Sequence, residues 1–160
     1  MANEQELDSA VKLIRSGRWA AFATAEMNTP YVSAVAYAYQ QDLSCLVLHL
    51  SRLASHTGRL SKNPHVALLI SEGDDGRDDP QTLARLSITG LIEHVPREHG
   101  QHPSYRGIYL QRLPEAEPRF SFSDFELFRF VPGEIRFVGG FARARTFTGE
   151  RLHHAAMGSA

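Results

Sequence analysis

His49-Leu50-Ser51-Arg52-Leu53-Ala54-Ser55-His56-Thr57-Gly58-Arg59-Leu60, followed by Asn63-Pro64 and the apolar run from Val66 to Ile70, is the stretch that decides the fold. A strand ends at Leu50, hydroxyl and basic residues gather where a helix begins, and Asn63-Pro64 stops that helix before the next strand. Ser51 is a candidate cap, and Leu53, Thr57 and Leu60 keep helical spacing over 51–62. Helix N-termini present unpaired N–H groups and the positive end of a dipole, so they receive phosphate. Ser51, Ser55 and Thr57 supply hydroxyls there; Arg52, His56 and Arg59 supply donors or charge. The same residues also read as a capped surface helix with solvated basic side chains.

Working outward, Asn3 and Glu6 form a capping box, Leu7, Val11 and Ile14 recur at helical spacing, and Gly17 is a stop, so 4–16 reads as a helix. Strands are expected over 19–24, 31–39 and 45–50, separated by Asn28-Thr29-Pro30 and Gln41-Asp42 turns, as an antiparallel meander. Residues 66–71 form a buried strand. The five acids and two glycines of 72–80 form a solvated loop with no catalytic role and no EF-hand spacing. A long strand is expected over 83–95, bent at Gly90, and a helix over 98–113. A hairpin through Pro132-Gly133 joins strands 125–131 and 134–138, and the tail frays from about residue 150. The pattern is α+β, mainly β, with a closed antiparallel sheet of six or seven strands, two or three flanking helices, no βαβ alternation and no linker. One domain over 1–160 is the expectation.

Composition bounds the function. In 160 residues, 42% are hydrophobic and 22% charged, which excludes disordered, collagen-like and disulfide-scaffold classes. A net charge of -1 argues against nucleic acid as the main partner. The sole cysteine, Cys45, excludes an internal disulfide, and its apolar strand makes it buried filler rather than a nucleophile. The polar N-terminus is not a signal peptide and no apolar run approaches the ~20 residues of a membrane helix, so a cytoplasmic protein without membrane partners is expected. There is no dinucleotide fingerprint, P-loop, zincin helix or nucleophile elbow, and none of the eight histidines has zinc spacing, so no metal is expected. The catalytic residues stay unassigned. Phe120, Phe122, Phe125, Phe128, Phe130, Phe137 and Phe141 crowd the C-terminal third as barrel core and dimer interface, with Trp19 also in the core.

The run Ser51–Leu60 to Asn63-Pro64 resembles the phosphate-binding segment of the FMN-binding split-barrel superfamily, which includes pyridoxamine 5′-phosphate oxidase. Residues 84–90, Ser123-Asp124-Phe125-Glu126-Leu127, and 138–144 resemble the haem-utilisation branch of that superfamily, in the same order along the chain. Arg59 stands where the branch has Asn, and Ala142 where it has a second Gly. The resemblance implies a six-stranded split barrel, a homodimer, and FMN in a groove between subunits. It implies phosphate contacts from Ser51, Arg52, His56, Thr57 and Arg59, and flavin-ring contacts from Ser33, Ala34 and Val35. Arg85 faces either ligand or solvent; Arg143 and Arg145 serve the partner's flavin or a solvated tail. The implied function is a flavin-dependent oxidoreductase acting on a small molecule, with FMN carrying the redox step. The alternative is a non-catalytic flavin- or haem-binding module. Haem-degrading members use a C-terminal histidine, for which His153 and His154 are the stand-ins, and the substrate-phosphate grip of pyridoxamine phosphate oxidation has no match in 143–152.

Overall fold

The computed structural model describes residues 2–140 and 143–158. Phe141 and Ala142, both weighed above, lie outside the described residues. The elements run α1 Ala2–Ser16, β1 Trp19–Glu26, β2 Thr29–Ala36, β3 Ala38–Tyr39, β4 Leu46–Ser51, α2 Ser55–Leu60, β5 His65–Ser71, β6 Arg85–Val95, α3 His102–Arg112, β7 Phe125–Val138, β8 Ala144–Thr148 and α4 Gly149–Gly158. Short 3-10 segments lie at Pro80–Thr82 and Pro114–Ser121. Every pairing is antiparallel, in the order β2-β1-β5-β6-β7-β4-β3, with β8 added to β7.

The expected strand 31–39 divides after Ala36, and that division curls the sheet round on itself. Its first part pairs with β1 and its last residues with β4, so one continuous run supplies both ends of the strand order. Tyr37 sits at the junction, fully buried, with its N–H donating to the Arg18 carbonyl at 3.0 Å and its hydroxyl to the Ile14 carbonyl at 2.8 Å. A Cβ on Gly17 would stand 2.6 Å from that hydroxyl, so Gly17 is required by close approach as well as by the end of α1. Alternation sends Phe22, Leu68, Ile88, Leu48, Phe130 and Phe137 into the barrel, where α1 adds Leu7, Val11 and Ile14. A second cluster forms outside β4 and β7, where Tyr105 and Tyr109 of α3 cover Val47 and Leu127.

Five expectations are corrected. Among the described residues the sheet has eight strands rather than six or seven, because 31–39 splits, 125–138 is one strand and β8 was not foreseen, and there are four α-helices rather than two or three. Pro132-Gly133 is no hairpin turn: β7 runs unbroken through it, with a register shift opposite Thr89 and Gly90. The missing Cβ of Gly90, which would lie 2.2 Å from the Val131 carbonyl, makes room for that bulge. The tail does not fray; α4 packs Leu152 and Ala156, both buried, against the core. Trp19 is not core but 63% exposed on the outer sheet face. The acidic loop is exposed throughout, with Arg77 holding the Asp75 carboxyl down at about 2. Cys45 is buried, and burial pushes its thiol up to about 11.

Candidate functional site

The decisive stretch folds differently from a long capped helix. Only Ser55–Leu60 is helical, its N-cap position is Ala54, and no side chain caps it. Ser51 ends β4, where its Oγ accepts from the Leu53 N–H at 3.1 Å and donates to Asp124 Oδ2 at 2.6 Å. Arg52 turns the same way: its backbone N–H meets the Asp124 carbonyl at 2.7 Å, Nη2 the Ser123 carbonyl at 3.0 Å, and Nε lies 3.6 Å from Glu126 Oε1. The reason is the pairing of β4 with β7, which places Ser51 opposite Phe125 and so brings the turn Ser123–Glu126 onto these donors.

His56 points elsewhere. Its Nδ1 lies 3.1 Å from Ser33 Oγ and its ring edge meets Phe22 at 5.6 Å, beneath α2 on the inner side of β1 and β2. Burial, with Arg59 adding repulsion, lowers its pKa and favours the neutral imidazole, and its buried Nε2 has no partner among the described residues. Of the residues expected around a flavin ring, Ser33 and Val35 face inward while Ala34 is exposed on the outer side. Arg59 stacks over Tyr31 at 3.5 Å and pairs with Glu26 at 3.8 Å, and Lys62 joins that carboxylate. Thr57 is 8% exposed, and its Oγ1 has no hydrogen-bond partner among the described residues.

Arg85 and Arg143 lie apart from α2. Arg85 donates to the carbonyls of Gln81 at 3.0 Å and Leu83 at 3.1 Å, fixing the 3-10 turn before β6. Arg143 and Arg145 place their Nε atoms 3.8 and 3.9 Å from the buried Glu6 carboxylate, tying β8 to α1. The phosphate set expected from the sequence is therefore not one cradle. Ser51 and Arg52 are engaged by carboxylates, His56 by Ser33, Arg59 by Glu26 and Tyr31.

A cleft of about 360 Å3 opens between α2 and the adjoining ends of β6 and β7. Leu60, Ile92 and Phe128 make its apolar wall; Thr57 and Gly58 line it from α2; Arg52, Glu126 and His94 stand at its rim. Glu126 joins the rim residues, with Oε2 3.3 Å from His94 Nε2 and Oε1 toward Arg52. His94 is half-exposed and lies against the Phe128 ring at 5.2 Å. Neither His94 nor Glu126 stands out in the sequence, because their meeting depends on the β6–β7 register that sets His94 opposite Phe128. The family-like run 123–127 was the one available signal.

This curled antiparallel sheet, with a short helix leading from β4 to β5 and a cleft beside it, defines a split-barrel protein. Residues 2–154 match the family described as CREG, beta-barrel, and the chain belongs to that family. It is 32% identical over 134 residues to the non-canonical heme oxygenase HOZ, chloroplastic, of Arabidopsis thaliana, covering 84% of this chain and 39% of that protein. It superposes on a heme binding protein from Mycobacterium smegmatis with a TM-score of 0.83 at 25% identity, over 93% of this chain and 60% of the other. A Clostridium acetobutylicum protein of the pyridoxinephosphate oxidase family gives a TM-score of 0.69 at 18% identity, over 93% and 98% of the two chains, and shares the fold. The chain thus spans about two fifths of the Arabidopsis relative and three fifths of the mycobacterial one. Among the described residues, no helix is long and apolar enough to cross a membrane.

Proposed function

We propose that this chain is a haem-handling split-barrel module that holds haem at the cleft between α2, β6 and β7. The observation that carries the reading is the division of chemistry in that cleft, with an apolar wall of Leu60, Ile92 and Phe128 and a rim of Arg52, Glu126 and His94. A metalloporphyrin asks for that division: apolar surface for the macrocycle, a cation for its carboxylates, and an imidazole for iron. The names of the Arabidopsis and mycobacterial relatives support it. When bound, haem supplies the iron-centred ligand and redox chemistry; the chain's own residues bind and orient it. The cleft takes an edge of the macrocycle rather than the whole. In this reading a second copy of the chain covers the remainder, and the outer sheet face, where Trp19, Val32, Leu69 and Leu91 are exposed, is the dimer surface.

An anionic group of either ligand, an FMN phosphate or a haem carboxylate, would compete with Glu126 for Arg52, and the phosphate would also meet Asp124 at Ser51, so the apolar wall is what favours the macrocycle. One observation favours a flavin: Ser33 and His56, both expected at the flavin, are hydrogen-bonded, and His56 Nε2 is left buried without a partner. Titrating ferric haem, FMN and riboflavin into the purified chain separates the readings. Haem should give a saturable shift of the Soret band, with FMN and riboflavin both weak and about equal. No saturable change with haem, or FMN bound far more tightly than riboflavin, would overturn the haem reading.

A further inference from the structure

We propose that α2 is a lid over the cleft, opening by local unwinding between Arg52 and Asn63, and that haem enters past it; the second half rests on the haem reading, the first does not. Both ends of the segment are pinned. Arg52 donates to the carbonyls of Ser123 and Asp124. Asn63 donates from Nδ2 to the Ala25 carbonyl at 3.3 Å and accepts from the His65 N–H at 3.1 Å. Between those pins, Thr57, Gly58 and Leu60 make one side of the cleft, facing Ile92 and Phe128 on the other. With α2 seated, about 360 Å3 admits only an edge of a macrocycle, so fuller entry requires one wall to move. Ile92 and Phe128 are fixed by the β6–β7 ladder, which leaves α2 as the wall that moves.

α2 is weakly held. It is six residues long, its N-cap residue Ala54 offers no side chain to the first N–H groups, and Gly58 interrupts it although a Cβ there would meet nothing within 4 Å. A helix this short is not stable alone, and an interior glycine weakens it further. Tertiary packing has to compensate, yet only Thr57 and Leu60 are buried. The rest of the seat is the Ser33–His56 hydrogen bond, the stack of Arg59 on Tyr31, and the pairing of Arg59 and Lys62 with Glu26 at the surface. Eight buried side-chain polar atoms lack a hydrogen-bond partner among the described residues, and three of them, His56 Nε2, Thr57 Oγ1 and Arg59 Nε, belong to α2. A fourth, Thr24 Oγ1, lies on β1 opposite Tyr31, the ring that Arg59 covers. Closing α2 strips these atoms of water and gives them no partner in return; unwinding gives the water back. Segments with few apolar contacts and poorly satisfied polar groups are the ones that open locally.

Amide hydrogen exchange of the full chain without ligand tests the lid, and stopped-flow mixing with ferric haem tests what passes it. The Arg59 and Leu60 amides, inside α2, should exchange roughly a hundredfold or more faster than that of Tyr37, which donates to the Arg18 carbonyl in the barrel. Ala54→Ser supplies the missing cap without entering the cleft lining. It should slow exchange at Arg59 and Leu60 roughly fivefold and leave Tyr37 unchanged. Haem association should slow by the same factor, because the open fraction falls alike. Arg59 and Leu60 amides as slow as that of Tyr37, or exchange that Ala54→Ser fails to slow, would overturn the lid. Slowed exchange with unchanged haem association would overturn entry past α2. A parent whose α2 amides exchange early but which shows no saturable haem binding would overturn the haem reading and leave the opening of α2 standing.

Discussion

His49 and His94 flank the same strand, on opposite faces of the sheet, and their surroundings could hardly differ more. His49 on β4 pairs with Leu127, and His94 on β6 with the next residue, Phe128. His49 is 7% exposed, stacked on Phe120 at 3.8 Å and bordered by Tyr109 and Phe125 at 5.6 and 5.2 Å. Burial, then the nearby Arg119, Arg97 and His102, push its pKa down to about 4. His94 instead keeps a carboxylate beside it and solvent within reach. One residue type, shifted by a single step along β7, becomes an enclosed filler on one face and a half-exposed, carboxylate-paired imidazole on the other. Packing, not residue identity, assigns the role.

That contrast can be broken by acid. His49 is neutral in the fold, and its pKa lies below the ordinary 6.5 of an exposed imidazole, so the unfolded chain takes up a proton that the folded chain refuses. Stability contributed by this residue is therefore complete above pH 6.5, falls as pH drops, and is spent near pH 4. The loss should be on the order of 3 kcal/mol. Thermal melts from pH 7.5 to 4 should show it in the parent, whereas His49→Phe should flatten that part of the profile. An unchanged slope in His49→Phe would show that other groups govern acid sensitivity.

The cage should also respond to truncation. Phe120→Ala removes the stacked ring from a partly exposed site, so a loss of about 2 kcal/mol is expected, below the 3–5 of a fully buried phenylalanine. Urea denaturation measures it, and a cost under ~0.5 kcal/mol would mean that Phe120 covers His49 without stabilising it. On the other face, Arg52→Ala and His94→Ala each remove exposed or half-exposed groups, and each should change stability by no more than about 1 kcal/mol. A larger loss for His94→Ala would make it a structural residue like His49. Smallest of all, shortening the exposed loop 73–79 should leave both the melting profile and haem binding within error of the parent.

Much of the barrel was legible because its strands alternate strictly and its turns carry Asn, Pro and Asp. Pro132-Gly133 misled because turn chemistry and bulge chemistry use the same residues. What distinguishes them is Gly90 on the facing strand, 42 positions earlier, without the Cβ that would strike Val131. α4 was missed because its buried positions, Leu152 and Ala156, are a minimal signal that only α1 and the core complete. The site was half-legible. Ser33, His56 and Thr57 were singled out, and the first two meet. What the local sequence did not show is that β4–β7 pairing delivers Asp124 and Glu126 to Ser51 and Arg52. That pairing also helps to build the cleft rim, and no local pattern encodes it.

The most direct test of the two-histidine account follows both rings at once, using side-chain 15N–1H spectra of the imidazoles while ferric haem is added. The paramagnetic iron should broaden the His94 signals early and selectively, leaving those of His49 sharp and unshifted at equal occupancy. Broadening of His49 with His94 untouched would contradict the account.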